Sequence, residues 1–311
     1  MKVAVVGAGG IGSVFGGRLA AAGHAVWLIH RRPEVVDAIQ RNGLHLTTPG
    51  GDERIHLQAT LDPAAAGPAD LVLILTKSND TRAAAETACA LVGSSTSVLT
   101  LQNGLGNLET IGDVLGSERC LMGMTYVGAA VRGPGHAALT APGPTFVGEP
   151  TGSLSERVEH LAAAFSEAGL PTQATDRLWD LVWGKLVINA SLNATCALTD
   201  ANGTTALGSE AAYRWLGLVA EETARVAAAL GINLPYADPA ERVRQHCRDV
   251  GASKPSMLQD MLRERPTEID AINGAVVRAG QQVGVPTPHN LALLLLVQAR
   301  EQVRALGQQL R

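Results

Sequence analysis

One run of the chain places a lysine and two asparagines at regular helical spacing. Lys185, Asn189 and Asn193 follow one another at intervals of four residues, so a helix would align their side chains on one face. The residues from Trp183 to Leu192 are otherwise mainly apolar, which predicts that most of this helix is buried. A buried row of one cation and two amides needs hydrogen-bonding partners, which a polar ligand would supply. A lysine that reaches solvent beside two exposed asparagines is the alternative interpretation.

A glycine-rich loop near the start of the chain is the second pattern with chemical meaning. The loop follows an apolar strand predicted for Lys2–Val6 and opens a helix predicted for Ile11–Ala22. Such a loop lets a pyrophosphate approach the backbone N–H groups at the positive end of the helix. An ordinary tight turn is the alternative, but the strand–loop–helix context favours dinucleotide binding. The residues that match GxGxxG are Gly7, Ala8, Gly9, Gly10, Ile11 and Gly12.

The end of the second predicted strand, Ala25–Ile29, bears on which dinucleotide binds. An NAD-specific fold usually has an acidic residue there that accepts a hydrogen bond from the ribose 2′-hydroxyl. This strand instead runs into Arg31 and Arg32, and either guanidinium could pair with a 2′-phosphate. A solvated arginine pair ahead of a helix that starts at Pro33 is the alternative. The missing acid favours NADP(H).

Two more polar residues follow predicted strands. Lys77 comes directly after the strand Asp70–Thr76, and Asn103 follows the strand Ser97–Leu101. Ligands in open parallel sheets bind outside the carboxyl ends of the strands, so the shared location favours a binding role. A surface lysine and an Asn-Gly turn at Gly104 are the alternatives.

The hydrophobic pattern divides the chain into two halves. In residues 1–174, short β-branched runs alternate with helical stretches, one of them at Asp80–Val92, which predicts a doubly wound α/β sheet. The stretch Met122–Glu149 alternates and has no helical pattern, so we expect an antiparallel extension at the sheet edge. Residues 175–311 show apolar residues at helical spacing throughout, which predicts an all-helical domain.

Composition excludes several classes of protein. The net charge of −4 offers no basic field for nucleic acid, and 46% hydrophobic residues exclude global disorder. The longest strongly apolar run near the C-terminus, Leu291–Val297, is far shorter than the ~20 residues of a membrane span. The four cysteines and eight histidines form no metal-ligand spacing, so no metal site and a cytoplasmic location are expected. The assembly state, a homodimer included, stays open.

Taken together, these motifs resemble the ketopantoate reductase family, also called the 2-dehydropantoate 2-reductase family. The resemblance runs nearly end to end. In that family a Rossmann-type domain precedes a helical domain, and NADPH and a 2-keto acid bind between them. The matching segments are Gly7–Gly12, Thr76–Lys77, Gln102–Asn107, Trp183–Asn193 and Lys254–Val277.

The resemblance implies a role for each matching position. Lys185 matches the catalytic lysine, and Glu268 matches an acid near the nicotinamide ribose. On the cofactor side the family pattern implies Gly7–Gly12 for the pyrophosphate and Arg31 for the 2′-phosphate. It implies that Lys77 and Asn103 flank the nicotinamide and ribose, with Ala129 lining the cofactor side. Residues implied to bind substrate are Asn103, Lys185, Asn189, Asn193, Asn202 and Ser256.

Simple helix chemistry agrees with two of these positions. Ser256 follows Pro255, where we expect a helix to begin, and Glu268 is expected in a first helical turn after Thr267, where a carboxylate is favoured. Helix capping alone is the alternative role of Glu268.

Two features depart from the family pattern. Ala194 stands where family members commonly have proline, and the segment that leads to Asn202 is one residue shorter than usual.

The expected function is therefore NADPH-dependent reduction of 2-dehydropantoate to (R)-pantoate in pantothenate synthesis. Lys185 would stabilise the developing negative charge on the carbonyl oxygen and deliver a proton. Burial would lower the pKa of Lys185 while Glu268 would raise it, and the sequence leaves the balance open. Reduction of another 2-keto acid and a non-catalytic NADP-binding sensor are the alternatives.

Overall fold

The computed structural model describes residues 1–309, which form two compact units. The first unit comprises Met1–Gln102 and Asn107–Leu178. The second comprises Asn103–Gly106 together with the described chain from Trp179 onward. The sequence predicted one boundary between residues 174 and 175. In the structure the four-residue segment Asn103–Gly106 also belongs to the second unit, although it precedes that boundary.

The first unit contains all twelve strands of the described chain and six helices. Its strands are β1 (Lys2–Val6), β2 (Ala25–Ile29), β3 (Leu44–Thr48), β4 (Gly51–Ile55), β5 (Gln58–Thr60), β6 (Ala69–Ile74), β7 (Val92–Thr100), β8 (Cys120–Thr125), β9 (Gly128–Gly133), β10 (His136–Ala141), β11 (Thr145–Gly148) and β12 (Thr172–Ala174). Its helices are α1 (Gly10–Ala21), α2 (Pro33–Asn42), α3 (Pro63–Ala66), α4 (Thr81–Ala88), α5 (Asn107–Leu115) and α6 (Glu156–Glu167). Helix α4 is shorter than predicted because a 3₁₀ turn, Cys89–Leu91, follows it.

The main sheet has the strand order expected of a dinucleotide-binding fold. Its eight strands run β12-β11-β8-β7-β6-β1-β2-β5. From β8 to β5 every neighbouring pair is parallel, which gives the doubly wound order with a reversal beside β1. The reversal brings the carboxyl ends of β1, β2 and β6 to one edge, where ligands bind in such sheets.

The prediction for Met122–Glu149 is right only in part. Strand β11 pairs antiparallel with β8 and extends the main sheet, as expected. Strands β9 and β10 instead join β3 and β4 in a separate four-stranded sheet of order β4-β3-β10-β9. The periodicity of a strand does not say which partner it pairs with, so the second sheet was not evident from the sequence.

Helix α1 packs between the two sheets, and its glycines make this possible. A Cβ at Gly16 would lie 2.6 Å from the Leu28 side chain of β2, in the main sheet. A Cβ at Gly17 would lie 2.9 Å from the Leu44 side chain of β3, in the second sheet. Residues without side chains thus allow both sheets to approach the helix closely.

Among the described residues the second unit contains helices and no strand. The helix that carries Lys185, α7 (Leu178–Thr199), has an 18-residue window with a mean hydropathy of 1.2, which satisfies the length and composition of a membrane span. However, 78% of that window is buried inside the protein, as in the core helix of a globular unit. The other helices are α8 (Gly203–Leu207), α9 (Glu210–Ala229), α10 (Pro239–Val250), α11 (Ser256–Leu262), α12 (Ile269–Val283) and α13 (Pro288–Gln309).

Candidate active site

The glycine loop lies between the end of β1 and the start of α1. Gly7 has φ of +93°, and a Cβ at this position would meet the Thr76 backbone nitrogen at 2.7 Å. A Cβ at Gly12 would lie 2.3 Å from the Gly7 carbonyl oxygen. The first and third glycines are therefore required by the turn and by close packing of helix on strand, as predicted.

The same loop leaves room for an anion. A Cβ at Gly9 would meet no atom within 4 Å, so open space borders the start of α1. No side chain caps α1, and its first turn contains no acidic residue. The first backbone N–H groups of α1 therefore face this space with the positive end of the helix, which suits a pyrophosphate. Ala129 of β9 borders the loop, because a Cβ at Gly10 would lie 3.1 Å from its carbonyl.

The two arginines after β2 have different partners. Arg31 forms an ion pair with Asp80 at 3.2 Å, and its side chain is 80% exposed. Arg32, the residue before α2, forms an ion pair at 2.6 Å with Glu34 in the first turn of that helix. Asp80 lies shortly after β6, so the Arg31 side chain reaches from the end of β2 toward the end of β6. The glycine loop lies at this same edge of the sheet. Arg31 is thus better placed than Arg32 to meet an adenosine phosphate, and Asp80 is a neighbour that the sequence did not identify.

A glutamine fixes the loop that carries Lys77. The Gln102 side chain donates hydrogen bonds to the Thr76 carbonyl at 3.0 Å and to the Thr81 hydroxyl at 2.9 Å. These bonds join the chain after β7 to the chain after β6. Lys77 itself is exposed and precedes a 3₁₀ turn, Ser78–Asp80. The structure thus joins polar groups that follow β6 and β7 within the first unit.

In the second unit, Lys185 contacts the segment that begins at Asn103. The Lys185 ammonium donates a hydrogen bond to the Asn103 side-chain oxygen at 2.8 Å. Burial lowers the pKa of Lys185 from its ordinary value to about 8, although the negative charge of Glu268 opposes the shift. At neutral pH the lysine is therefore largely protonated, yet it is a much stronger acid than an exposed lysine. Burial outweighs the nearby carboxylate, which the sequence alone left open.

Asn189 and Asn193 continue the polar face of α7. Asn193 is only 6% exposed, and Asn189 is partly buried. Within residues 1–309, neither side-chain amide is hydrogen-bonded to another protein group. Each amide therefore keeps its donor and acceptor capacity, which is chemistry suited to a polar ligand. The alternative of two asparagines on a solvated surface does not describe Asn193.

Glu268 is buried but does not lie in the first turn of a helix, which corrects the prediction. It is the residue before α12, and its carboxylate makes no capping hydrogen bond. The Thr267 hydroxyl caps instead, because it accepts a hydrogen bond from the Ile269 N–H at 3.3 Å. Helix capping is thus excluded as the role of the Glu268 side chain, and its charge acts on Lys185.

The two remaining substrate candidates lie at helix starts. Ser256 begins α11, as the preceding proline predicted. Asn202 is the N-cap residue of α8, where its side-chain oxygen accepts hydrogen bonds from the Thr205 N–H at 2.9 Å and hydroxyl at 3.1 Å. The structure thus gives Asn202 a capping role that the sequence analysis did not consider.

One histidine near Lys185 was missed. Burial lowers the pKa of His246 on α10 to about 4, and the positive charges of Arg242 and Lys185 act in the same direction. The imidazole is therefore neutral at neutral pH and close enough to Lys185 to sense its charge. No motif surrounds this residue, so the sequence offered no signal for it.

The first unit is a dinucleotide-binding fold, and the second presents a lysine of lowered pKa beside amides suited to a small polar substrate. Together these features define an NAD(P)-dependent oxidoreductase. Comparison with known proteins agrees with this class. Residues 3–152 match the family model described as ketopantoate reductase PanE/ApbA, and residues 177–301 match its C-terminal model. The chain belongs to the ketopantoate reductase family.

Individual relatives cover almost the whole chain. A 2-dehydropantoate 2-reductase from Halobacterium salinarum is 34% identical over 97% of this chain and 100% of its own. The crystal structure of a PanE/ApbA family ketopantoate reductase from Ralstonia eutropha has a TM-score of 0.91 and 36% identity, over 98% of this chain and 100% of that one. A ternary structure of D-mandelate dehydrogenase with NADH and anilino(oxo)acetate has a TM-score of 0.90 and 31% identity, over 97% and 99%.

Proposed function

We propose that this protein reduces 2-dehydropantoate to (R)-pantoate with NADPH. The observation that carries the proposal is the Lys185 ammonium of lowered pKa, held by Asn103 on the same helix face as two asparagines. The relative from Halobacterium salinarum bears the corresponding name. The substrate has a carboxylate, a ketone and a hydroxyl, and a row of amides with one cation offers donors to all three.

A bound nicotinamide would supply the hydride for the carbonyl carbon, and negative charge would develop on the carbonyl oxygen. Lys185 stabilises this charge and transfers a proton from Nζ to the oxygen, which completes the alcohol. A pKa of about 8 suits this task, because the group is mostly protonated at pH 7 and still releases its proton readily. The amine that remains regains a proton from water.

The neighbours of Lys185 keep it oriented and charged. The hydrogen bond to Asn103 fixes the direction of the ammonium, so it need not reorganise during the reaction. Glu268 raises the pKa of Lys185 and so limits the effect of burial. We assign Asn189, Asn193 and Ser256 to the substrate, while the capping hydrogen bonds of Asn202 make it the weakest of the substrate candidates.

The choice of NADPH over NADH rests on Arg31. Its guanidinium is exposed at the edge of the sheet where the adenosine ribose binds in this fold, and β2 ends without an acidic residue. Asp80 neutralises part of its charge, so the preference depends on how far the 2′-phosphate displaces Asp80 from the guanidinium. The D-mandelate dehydrogenase relative was solved with NADH, which makes direct comparison of the cofactors necessary.

Steady-state oxidation of NADPH and NADH with a panel of 2-keto acids tests the proposal. The panel contains 2-dehydropantoate, a branched aliphatic 2-keto acid and phenylglyoxylate, the keto acid that corresponds to mandelate. We expect the highest kcat/KM with 2-dehydropantoate and NADPH. A higher value for phenylglyoxylate or the aliphatic acid would reassign the substrate. Cofactor binding without turnover of any member would support the NADP-binding sensor instead.

A further inference from the structure

A network of buried polar groups crosses the helical unit and ends on the helix that carries Lys185. We call it the Asn273 network. Four of its side chains, from α9, α12 and α13, are completely buried. His289 at its outer end is 28% exposed. The members are Glu222, Thr223, Asn273, His289, Asn290 and the carbonyl of Ala190.

The carboxylate of Glu222 fixes the direction of every hydrogen bond in this network. It accepts from the N–H and Nδ1 of His289, at 3.0 and 2.6 Å, and from the N–H and amide of Asn290, at 2.8 and 2.9 Å. Because the Asn290 amide nitrogen must face the carboxylate, its oxygen faces Asn273. Asn273 can therefore present only its amide nitrogen in that direction.

The Asn273 amide nitrogen donates to the Asn290 side-chain oxygen and to the Ala190 carbonyl, both at 3.0 Å. The second bond joins α12 directly to α7. Ala190 lies five residues after Lys185, and Asn273 lies five residues after Glu268. At a helical rise of 1.5 Å per residue, each interval is about 7.5 Å. The bond thus connects the two elements that carry the lysine and its carboxylate, at equal distances along each.

This arrangement is not explained by stability alone. The Asn273 side-chain oxygen is buried and has no hydrogen-bond partner within residues 1–309. Such an unsatisfied group costs about 1–3 kcal/mol, and an apolar side chain of similar volume would avoid the cost. The Ala190 carbonyl also has its own helical partner, the N–H of Ala194, since α7 continues to Thr199. The bond from Asn273 is therefore an additional constraint on α7.

We propose that Asn273 is a positioning residue, which holds Lys185 and the asparagines of α7 in register with Glu268 through its bond to the Ala190 carbonyl. The inference rests on the proposed function. Glu222 and Asn290 act through Asn273, because they orient its amide. None of these side chains touches the reacting atoms.

Two substitutions of Asn273 separate the hydrogen bond from packing. Asn273→Ala removes the amide and opens a cavity, whereas Asn273→Leu removes the amide but keeps the volume filled. We expect both variants to lower kcat/KM for the keto acid by about 10- to 100-fold, since small displacements of reacting groups have effects of this size. Affinity for NADPH should stay within about twofold, because the glycine loop lies in the other unit.

The pH profile supplies a readout that a purely structural role would not move. If α7 loses register with Glu268, the carboxylate raises the pKa of Lys185 less, and the alkaline limb of kcat/KM shifts to lower pH. Thr223→Val is the matched control. It removes a buried hydroxyl that accepts from Asn290 at 3.2 Å, but it leaves the Asn273 bond to α7 intact. We expect it to lower Tm without moving the alkaline limb.

Two kinetic results would overturn the proposal. Normal kcat/KM in Asn273→Leu would show that the amide does not position α7. Equal kinetic effects in Thr223→Val would reveal a general effect of destabilisation. If the wild-type protein turned over no keto acid, the proposed function would fail separately. Amide hydrogen exchange in residues 186–194 would then decide the positioning, with faster exchange expected in Asn273→Leu but not in Thr223→Val.

Discussion

The lowered pKa of Lys185 leads to a test of the acid role that depends on pH as well as on rate. With a pKa of about 8, the free protein loses the protonated lysine as pH rises through 8. We expect kcat/KM for ketone reduction to fall tenfold per pH unit on that side, because kcat/KM reports the ionisations of the free enzyme. An exposed lysine would place this limb near pH 10.4.

Substitution of Lys185 measures how much this side chain contributes to the rate. Lys185→Ala removes both the proton donor and the charge beside the developing alkoxide. General acid catalysis contributes about 10²–10⁴-fold and one electrostatic donor about 10²–10³-fold. Because one group supplies both effects they cannot be multiplied, and we expect kcat to fall by at least ~10²-fold. Lys185→Arg keeps a positive charge but donates its proton poorly, so it should lose rate and also lose the limb near pH 8.

Glu268 influences the pH at which kcat/KM decreases on the alkaline side. Its charge raises the pKa of Lys185, so Glu268→Gln should lower that pKa and move the alkaline limb to lower pH. Stopped-flow and steady-state rates between pH 6 and ~10.5 would measure both effects. A limb near pH 8 that persisted in Lys185→Arg would refute the assignment, because another group would then be titrating.

Three other predictions concern binding. Asn193→Ala should raise KM for the keto acid about tenfold with a smaller change in kcat, since the lost amide contacts ground and transition states alike. Gly9→Ala should weaken NADPH binding in calorimetry and leave Tm nearly unchanged, because the new Cβ would meet no protein atom within 4 Å. Gly12→Ala should lower Tm as well, because its Cβ would lie 2.3 Å from the Gly7 carbonyl oxygen. Arg31→Ala should raise KM for NADPH and not for NADH. Asp80→Asn should lower KM for NADPH, because it releases the Arg31 guanidinium from its ion pair. Equal use of both cofactors by the wild-type protein would contradict the assignment of Arg31 to the 2′-phosphate.

Local patterns predicted the parallel strands of the main sheet and the long helices well. Strands β1 and β2 have the predicted bounds, and the row from Lys185 to Asn193 lies on one buried helix, α7. These predictions depend on periodicity and on buried apolar surface, which are local properties of the chain. The second sheet was missed because strand pairing is decided by partners distant in sequence.

The site was predictable where a motif specifies a backbone shape or a helix face, and not where it depends on distant side chains. The open space at Gly9 follows from the glycine pattern. Arg31 pairs with Asp80, the charge of Lys185 acts on His246, and Asn273 donates to the Ala190 carbonyl; each pair is separated by 49 or more positions in the sequence. No spacing rule reaches across such separations, so only the folded chain reveals them.

The segment Asn103–Gly106 shows why one short loop carries so much of the site. Gly104 has φ of +81°, and a Cβ there would lie 2.3 Å from the Ala271 carbonyl oxygen. That same carbonyl accepts a hydrogen bond from the Leu105 N–H at 2.8 Å, so the loop is held against α12 at a point where only glycine fits. Asn103 directly precedes Gly104, so its side-chain oxygen is thereby held 2.8 Å from the Lys185 ammonium. An Asn-Gly pair that resembles an ordinary surface turn in the sequence is thus the means by which the lysine is oriented.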